Sequence, residues 1–225
     1  MLGHLLFQLP WPRPLWDARS REFFDRATVA CDLIDPTGRL KAPHLVSLSG
    51  APRHSHIQAR ASTAGFEVTV QNALFEFPFT FVVVRDRGQL TGKVDLLQLK
   101  NEYRHHGIGA RMFILMVRAA RRFGIRHLEG QELDVPYPDG RMWSGALAAA
   151  KLGWDAELPA SYMRTLPDYL GGAETLRELF VHPGGRDWWD RHPTSLRFKF
   201  DTSSGSPNIE MLQAYALEHR IRLWQ

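Results

Sequence analysis

The sequence contains few cysteines, no long apolar run and no large excess of charge of one sign, and each of these absences excludes a class of protein. Cys31 is the single cysteine among 225 residues, which excludes an intrachain disulfide framework and fits a reducing compartment. No apolar run approaches the roughly 18 residues that a membrane-spanning helix requires. Charge of one sign is not in large excess, because 28 basic and 24 acidic residues give a net charge of +4, a mild bias toward anionic partners.

The start of the chain is the only candidate for a targeting signal. Its apolar run at residues 5–7 is interrupted by Gln8 and Pro10, and no small-residue cleavage site follows. We therefore predict a soluble, cytoplasmic protein with no membrane partner. Hydrophobic residues make up 44% of the chain, enough for a normal core.

A metal site is suggested only by the histidine pair His54 and His56. Two histidines at spacing i, i+2 need a third ligand from elsewhere, and no cluster of cysteine and histidine accompanies them. We therefore predict no metal and interpret the segment as a loop or the edge of a strand.

The most informative stretch runs from residue 92 to residue 123. Apolar residues at 94, 96, 97 and 99 are typical of a strand buried on both faces, and a polar turn at 100–103 follows. The chain then reads Arg-His-His-Gly-Ile-Gly-Ala at 104–110. From Ile108 onward, apolar residues recur with the spacing of one helix face over about four turns.

This order of elements predicts an anion site. A helix that begins directly after a loop leaves the N–H groups of its first turn without intrahelical partners. Gly107 and Gly109 carry no side chain, so a phosphate can approach the backbone at the positive end of the helix dipole. A diphosphate suits such a loop.

The pattern Arg-x-x-Gly-x-Gly-Ala resembles the acyl-CoA-binding motif of the GNAT acetyltransferase superfamily, which reads Gln/Arg-x-x-Gly-x-Gly/Ala. A second match follows in the right order, since Ala-Ala-Lys-Leu-Gly-Trp at 149–154 resembles the family ending Tyr-x-Lys-Leu-Gly-Phe. On these two matches the chain is identified as a divergent member of that superfamily.

The resemblance implies an α/β fold with a GNAT-like mixed sheet. An antiparallel N-terminal meander would lead into a central parallel strand, helix, strand crossover that binds acyl-CoA, and an α+β C-terminal extension would follow. Strand patterns at 66–70, 79–84 and 125–133, with a turn at 85–88 and a helix stop at Gly124, agree with this order. Further helices are predicted at 17–30, 142–152, 173–180 and 207–220, and a strand at 196–200.

These patterns divide the chain into three parts. Residues 1–16 form an irregular arm, residues 17–158 form the acyl-CoA-binding domain, and residues 159–225 form an extension packed on the core. The extension receives no functional interpretation from its sequence.

The resemblance also assigns residues to the acyl donor, acetyl-CoA or a related acyl-CoA. Backbone groups around Leu97 and Leu99 would hold the pantetheine arm and polarise the thioester carbonyl. The loop would hold the diphosphate through Arg104, His105, His106, Gly107, Ile108, Gly109 and Ala110. An amine of an unknown acceptor would then attack the thioester directly, as in an N-acetyltransferase.

The catalytic groups depart from the family pattern. Many members place a tyrosine general acid where this chain has Ala149, and a methyl group cannot donate a proton. Replacement donors would be Tyr137, Ser144, His105 or His106, unless the thiolate leaves with the help of water. Asp95 and Glu129 are candidate bases, although a structural ion pair explains Asp95 equally well.

Two other functions remain open on the sequence alone. A GNAT-fold module that binds acyl-CoA without turnover would explain Ala149. A nucleic-acid binder is suggested by Arg111, Arg118, Arg121, Arg122 and Arg126, but we rank it lower, since these arginines suit the solvated face of the long helix and lack interleaved aromatic residues. The acceptor is not readable, and self-association as a homodimer stays open.

Overall fold

A seven-stranded mixed sheet forms the centre of the fold. Its strands lie in the order β1 (Ala30–Ile34), β2 (His56–Ser62), β3 (Gly65–Gln71), β4 (Phe79–Asp86), β5 (Gln89–Val94), β6 (Ile125–Gln131) and β9 (Arg197–Asp201). A separate two-stranded ribbon pairs β7 (Val135–Pro136) with β8 (Met142–Trp143).

The computed structural model describes residues 18–24, 28–35, 38, 40–86, 88–95, 97–131, 135–136, 142–143, 145–192, 194 and 196–221. The predicted arm at 1–16 lies outside these residues. The described helices are α1 (Ala18–Phe23), α2 (Ala42–Ser49), α3 (Ile108–Arg122), α4 (Gly145–Lys151), α5 (Ala160–Met163), α6 (Leu176–Val181), α7 (Gly185–Arg191) and α8 (Pro207–Glu218). None of them combines the length and the apolar character needed to cross a membrane.

The pairing of the strands confirms the predicted fold class. Strands β2 to β5 form an antiparallel meander. Strand β5 then pairs in parallel with β6, and α3 makes the crossover between them. The helix begins and ends close to its predicted limits because a glycine with a φ of +71° stands at each end, Gly107 before it and Gly124 after it.

One face of the sheet forms the core. Alternate strand residues are buried together with the apolar face of α3, as the period of two along a strand requires. The buried set includes Ile57, Val68, Phe81, Leu128 and Phe200. The opposite face carries exposed polar residues such as Gln58, Arg60 and Lys93, which is the usual division in a sheet with one solvated side.

Some local predictions are wrong, and one helix was not predicted. The helix expected at 17–30 is only the short α1, and Ala30 starts the edge strand β1, which pairs in parallel with β2. Helix α2 was not anticipated. The strand expected at 94–99 ends at Val94, where the parallel pairing with β6 stops at Gly130. The Asp95 N–H still donates to the Thr80 carbonyl of β4.

The predicted extension contributes directly to the main sheet. Strand β9 pairs antiparallel with β6 and so belongs to the seven strands. Helix α8 follows with the predicted start, since the Ser206 hydroxyl accepts from the Ile209 N–H and Pro207 takes the first helical position. Asn208 Nδ2 donates to the Gly153 carbonyl at 2.7 Å, which seats α8 against the end of α4.

Gly153 should be a critical position for this contact. It has a φ of +91°, and an added Cβ would collide with the backbone carbonyl of Asn208, so Gly153→Ala combines backbone strain of about 1–2 kcal/mol with overpacking of about 1–3 kcal/mol. Gly172→Ala is the matched control, because Gly172 has a φ of +96° and nothing within 4 Å of an added Cβ. Urea unfolding should show a clearly larger loss of unfolding free energy for Gly153→Ala than for Gly172→Ala. Equal losses would contradict close packing of α8 against Gly153.

Candidate functional site

A cavity of about 750 Å³ opens where β5 and β6 part. The last paired residues of the two strands are Val94 and Gly130, and both line the cavity. Its other walls come from the segment after β5, the loop before α3, the first turns of α3, and helices α4 and α8. The cavity therefore extends from a gap in the sheet to the N-terminus of the long helix.

The residues that the sequence assigned to the donor all line this cavity. They are Leu97, Leu99, Arg104, His105, His106, Gly107, Ile108, Gly109 and Ala110. Asp95 lines it as well and is exposed. Ala149 is half-buried on α4 and faces the same space.

The predicted base Glu129 is not brought into the cavity. Glu129 lies between Leu128 and Gly130 on β6, so its side chain is on the solvated face of the sheet, opposite Lys93 and Lys199 of the neighbouring strands. Ser144 and Tyr137 lie outside the described residues.

The loop before α3 has two residues in the left-handed region. His105 has a φ of +63° and Gly107 a φ of +71°. Gly107 takes the N-cap position without a side-chain cap, so the first turn of this 15-residue helix relies on other partners for its N–H groups. These groups and the helix dipole point at the space that the loop encloses.

Two arginines brace the loop from either side. Arg104 Nε donates to the Leu99 carbonyl at 2.8 Å. Arg111 Nη1 donates to the Gly107 carbonyl at 3.1 Å, and Arg111 Nε donates to the buried hydroxyl of Ser20 in α1 at 3.0 Å. The loop is thus tied to the segment after β5 and to the first helix.

The interpretation of Arg111 as part of a solvated helix face is wrong. The residue is only 5% exposed. Its position could have shown this, because residues 108, 111, 112 and 115 share one helix face and the other three are apolar. Arg118 and Arg121 are partly buried, whereas Arg122 and Arg126 are exposed.

The inner wall of the cavity is aromatic. Phe113 of α3 stacks on Trp154 with ring centroids 5.0 Å apart, and Phe200 of β9 meets Phe113 edge to face at 5.0 Å. A Cβ at Gly130 would lie 3.6 Å from the Trp154 ring, so a larger residue there would narrow the space between the strands. Trp154, which closes the second sequence match, therefore forms part of the site.

Helix α8 and its C-cap residue supply two side chains that sequence reasoning did not assign to the site. Tyr215 and His219 both line the cavity, with ring centroids 4.1 Å apart. Burial raises the pKa of Tyr215, the nearby Glu218 carboxylate raises it further, and the Arg111 guanidinium lowers it. The helical spacing placed both residues on one face of α8, but only the folded chain brings that face to the loop.

Basic side chains dominate the charge of the cavity. Among the described residues that line it, Asp95 is the one carboxylate, while the cations and histidines are Arg104, His105, His106, Arg111, Lys151 and His219. Such a distribution favours an anionic ligand.

The histidine pair considered for a metal lies elsewhere. His56 Nε2 is 2.7 Å from Asp32 Oδ2 on the neighbouring strand. The described part of the chain contains no group of three metal-ligating side chains.

Comparison with known proteins gives matches among solved structures. No protein-family model matches the chain, and no curated protein matches it in sequence. Nourseothricin acetyltransferase is similar over 63% of this chain and 67% of its own, with 15% identity and a TM-score of 0.34. A Bacillus subtilis acetyltransferase in complex with CoA matches 61% of this chain and 77% of its own, with 13% identity and a TM-score of 0.30.

A third match is the IAA acetyltransferase from Bacillus cereus, with 12% identity over 61% of this chain and 78% of that one and a TM-score of 0.31. All three of these proteins are acetyltransferases.

The bond between Ser20 and Arg111 should contribute measurably to stability. Ser20→Ala removes the acceptor of a buried guanidinium N–H, which should lower the free energy of unfolding by about 1–3 kcal/mol. Ser47→Ala is the control, because the Ser47 hydroxyl bonds only locally, to Pro43 in α2, at a partly exposed site. Urea unfolding measures the loss of unfolding free energy in each variant. If Ser20→Ala is as stable as Ser47→Ala, the bond between Ser20 and Arg111 does not stabilise the loop.

Proposed function

We propose that this protein is an acyltransferase that moves the acyl group of an acyl-CoA, in the simplest case acetyl-CoA, to an amine of an acceptor within a ternary complex. One observation carries the proposal: a single cavity collects every residue of the acyl-CoA-like motif, the gap between two parted strands and the N-terminus of α3. The two sequence matches to the GNAT superfamily support the same conclusion. A reducing compartment such as the cytoplasm suits a chain with one cysteine.

The donor would lie along the length of the cavity. Its diphosphate would accept from the N–H groups of the first turn of α3, where Gly107 and Gly109 leave room for the phosphate oxygens. Arg104, His105 and His106 surround that end and add positive charge or hydrogen bonds. The pantetheine arm would then pass between the ends of β5 and β6 along Leu97 and Leu99, toward the aromatic wall.

Transfer requires the acceptor amine in its neutral form. A lysine-like ammonium has a pKa near about 10.4, so a proton must leave before the nitrogen attacks. Asp95 is the carboxylate that lines the cavity beside the gap between the strands, and we assign it the role of accepting or relaying this proton. Backbone N–H groups of the segment after β5 would stabilise the oxyanion of the tetrahedral intermediate.

Collapse of the intermediate completes the reaction. The new C–N bond remains, the C–S bond breaks, and CoA leaves as a thiolate that takes up a proton. Ala149 has no proton to give at the position of the family tyrosine, so the proton comes from another group or from water. The alternative function, a module that binds acyl-CoA without turnover, is favoured by this same alanine.

Binding and turnover can be separated in one set of experiments. Calorimetric titration with CoA and acetyl-CoA should give binding, and thiol release against a mixed pool of amines should give turnover. Gly107→Ala should weaken CoA binding about tenfold or more, because an added Cβ would lie 2.5 Å from Arg111 Nη1 and displace the brace of the loop.

Gly124→Ala is the matched control for this variant. Gly124 has the same φ of +71° at the other end of α3 and no atom within 4 Å of an added Cβ, so both variants carry similar backbone strain. Only Gly107→Ala should lose affinity. Binding without thiol release would favour the module, and a wild-type protein that does not bind CoA would overturn the proposal.

The role of position 149 can be tested with a pair of variants of nearly equal volume. Ala149→Tyr restores a phenol at the wall of the cavity, whereas Ala149→Phe fills the same space without a proton donor. If the thiolate leaves beside α4, the tyrosine variant should turn over about tenfold or more faster than the phenylalanine variant, since a well-positioned general acid contributes about 10²–10⁴-fold. Equal kcat values in the thiol-release assay would place the departing sulfur away from this position.

A further inference from the structure

We propose that helix α8 forms the binding site for the adenine ring of the donor, with Tyr215 and His219 as its stacking surface. This inference rests on the proposed function. It adds a subsite built from the C-terminal part of the chain, outside both sequence matches. It also specifies the donor as a complete CoA thioester and not a phosphopantetheine arm alone.

The first argument is the aromatic surface itself. Tyr215 and His219 are one helical turn apart and both line the cavity, with ring centroids 4.1 Å apart. Tyr215 is half-buried and His219 is exposed, so the pair extends from the cavity wall to its mouth. Bases of any identity stack on such rings, because every base has a π-face.

The second argument is the end of the cavity at which the pair lies. Arg111 is close enough to Tyr215 to influence its ionisation, and the same guanidinium donates to the Gly107 carbonyl. Tyr215 therefore shares the cavity with the arginine that holds the loop and lies within its electrostatic reach. A diphosphate held at the N-terminus of α3 with its pantetheine directed into the gap has its nucleoside on this remaining side.

The third argument is charge. The ribose of CoA carries a 3′-phosphate, and Lys151 of α4 lines the cavity together with His219 of α8. A lysine and a histidine near a stacked adenosine suit that phosphate. A tyrosine phenol is neutral at neutral pH, so Tyr215 does not repel the phosphates.

The fourth argument is rigidity. Helix α8 is fixed at its start by the Ser206 cap and by the bond from Asn208 Nδ2 to the Gly153 carbonyl. At its end the chain turns through Arg220, with a φ of +52°, and buries Ile221, whose N–H donates to the Ala216 carbonyl at 2.8 Å. A platform held at both ends needs little ordering when a base binds.

The test compares two ligands, of which only CoA carries the adenosine with its 3′-phosphate and 5′-phosphate. Calorimetry with CoA and with 4′-phosphopantetheine is run on wild type and on Tyr215→Leu, which keeps an apolar side chain and removes the ring. We expect the variant to bind CoA about tenfold more weakly and to bind phosphopantetheine as wild type does. Tyr215→Phe, which retains the ring, should keep the affinity for CoA.

Controls distinguish the inference from the proposed function. Leu217→Ala changes a residue of the same helix that is 83% exposed and does not line the cavity, and it should bind both ligands normally. If Tyr215→Leu fails to fold, His219→Ala replaces an exposed ring and should weaken CoA binding several-fold.

Two results would overturn the inference. Normal CoA affinity in both ring-removing variants would show that α8 does not hold the base, while leaving the proposed function intact. Equal losses for CoA and phosphopantetheine would show a general disturbance of the cavity. Failure of wild type to bind CoA at all would remove the proposed function and the inference together.

Discussion

The site depends on how the backbone is held at Gly107. A left-handed residue at that point ends the loop and starts α3, and the buried guanidinium of Arg111 fixes it by donating to the Gly107 carbonyl. Because Arg111 also bonds Ser20, the position of the loop depends on the packing of α1 as well as on its own sequence. The loop is thus held in place by an arginine side chain that is only 5% exposed.

The sheet supplies the second half of the site by ending its parallel pairing early. Val94 and Gly130 are the last partners of β5 and β6, and the cavity opens beyond them. That gap opens beside the first turn of α3, since the helix connects the same two strands. The crossover therefore places two features side by side, namely the gap between β5 and β6 and the N-terminus of α3.

The sequence predicted this crossover because its signals are local. The apolar period of α3, the glycines at its ends and the strand patterns before and after it need no knowledge of distant residues. Strand β1 was missed because it is an edge strand with alternate residues exposed and little apolar pattern. Arg111 was predicted to be exposed because its side chain is charged. Its spacing along α3 nevertheless places it on the buried face of the helix. Tyr215 was missed because only tertiary packing brings α8 to the loop.

The close packing of α8 against the end of α4 suits a small residue such as alanine at position 149. Helix α4 is a short run of small residues, Gly-Ala-Leu-Ala-Ala-Ala-Lys, and α8 packs close to its end, where the Gly153 backbone meets Asn208. Ala148 and Ala149 line the cavity between the two helices and the loop, so their small side chains set its width. The cavity is lined by the rings of Tyr215 and His219, but it has no phenol at position 149 of α4. For the acyltransferase proposed above, the proton for the leaving thiolate must therefore come from a group other than residue 149.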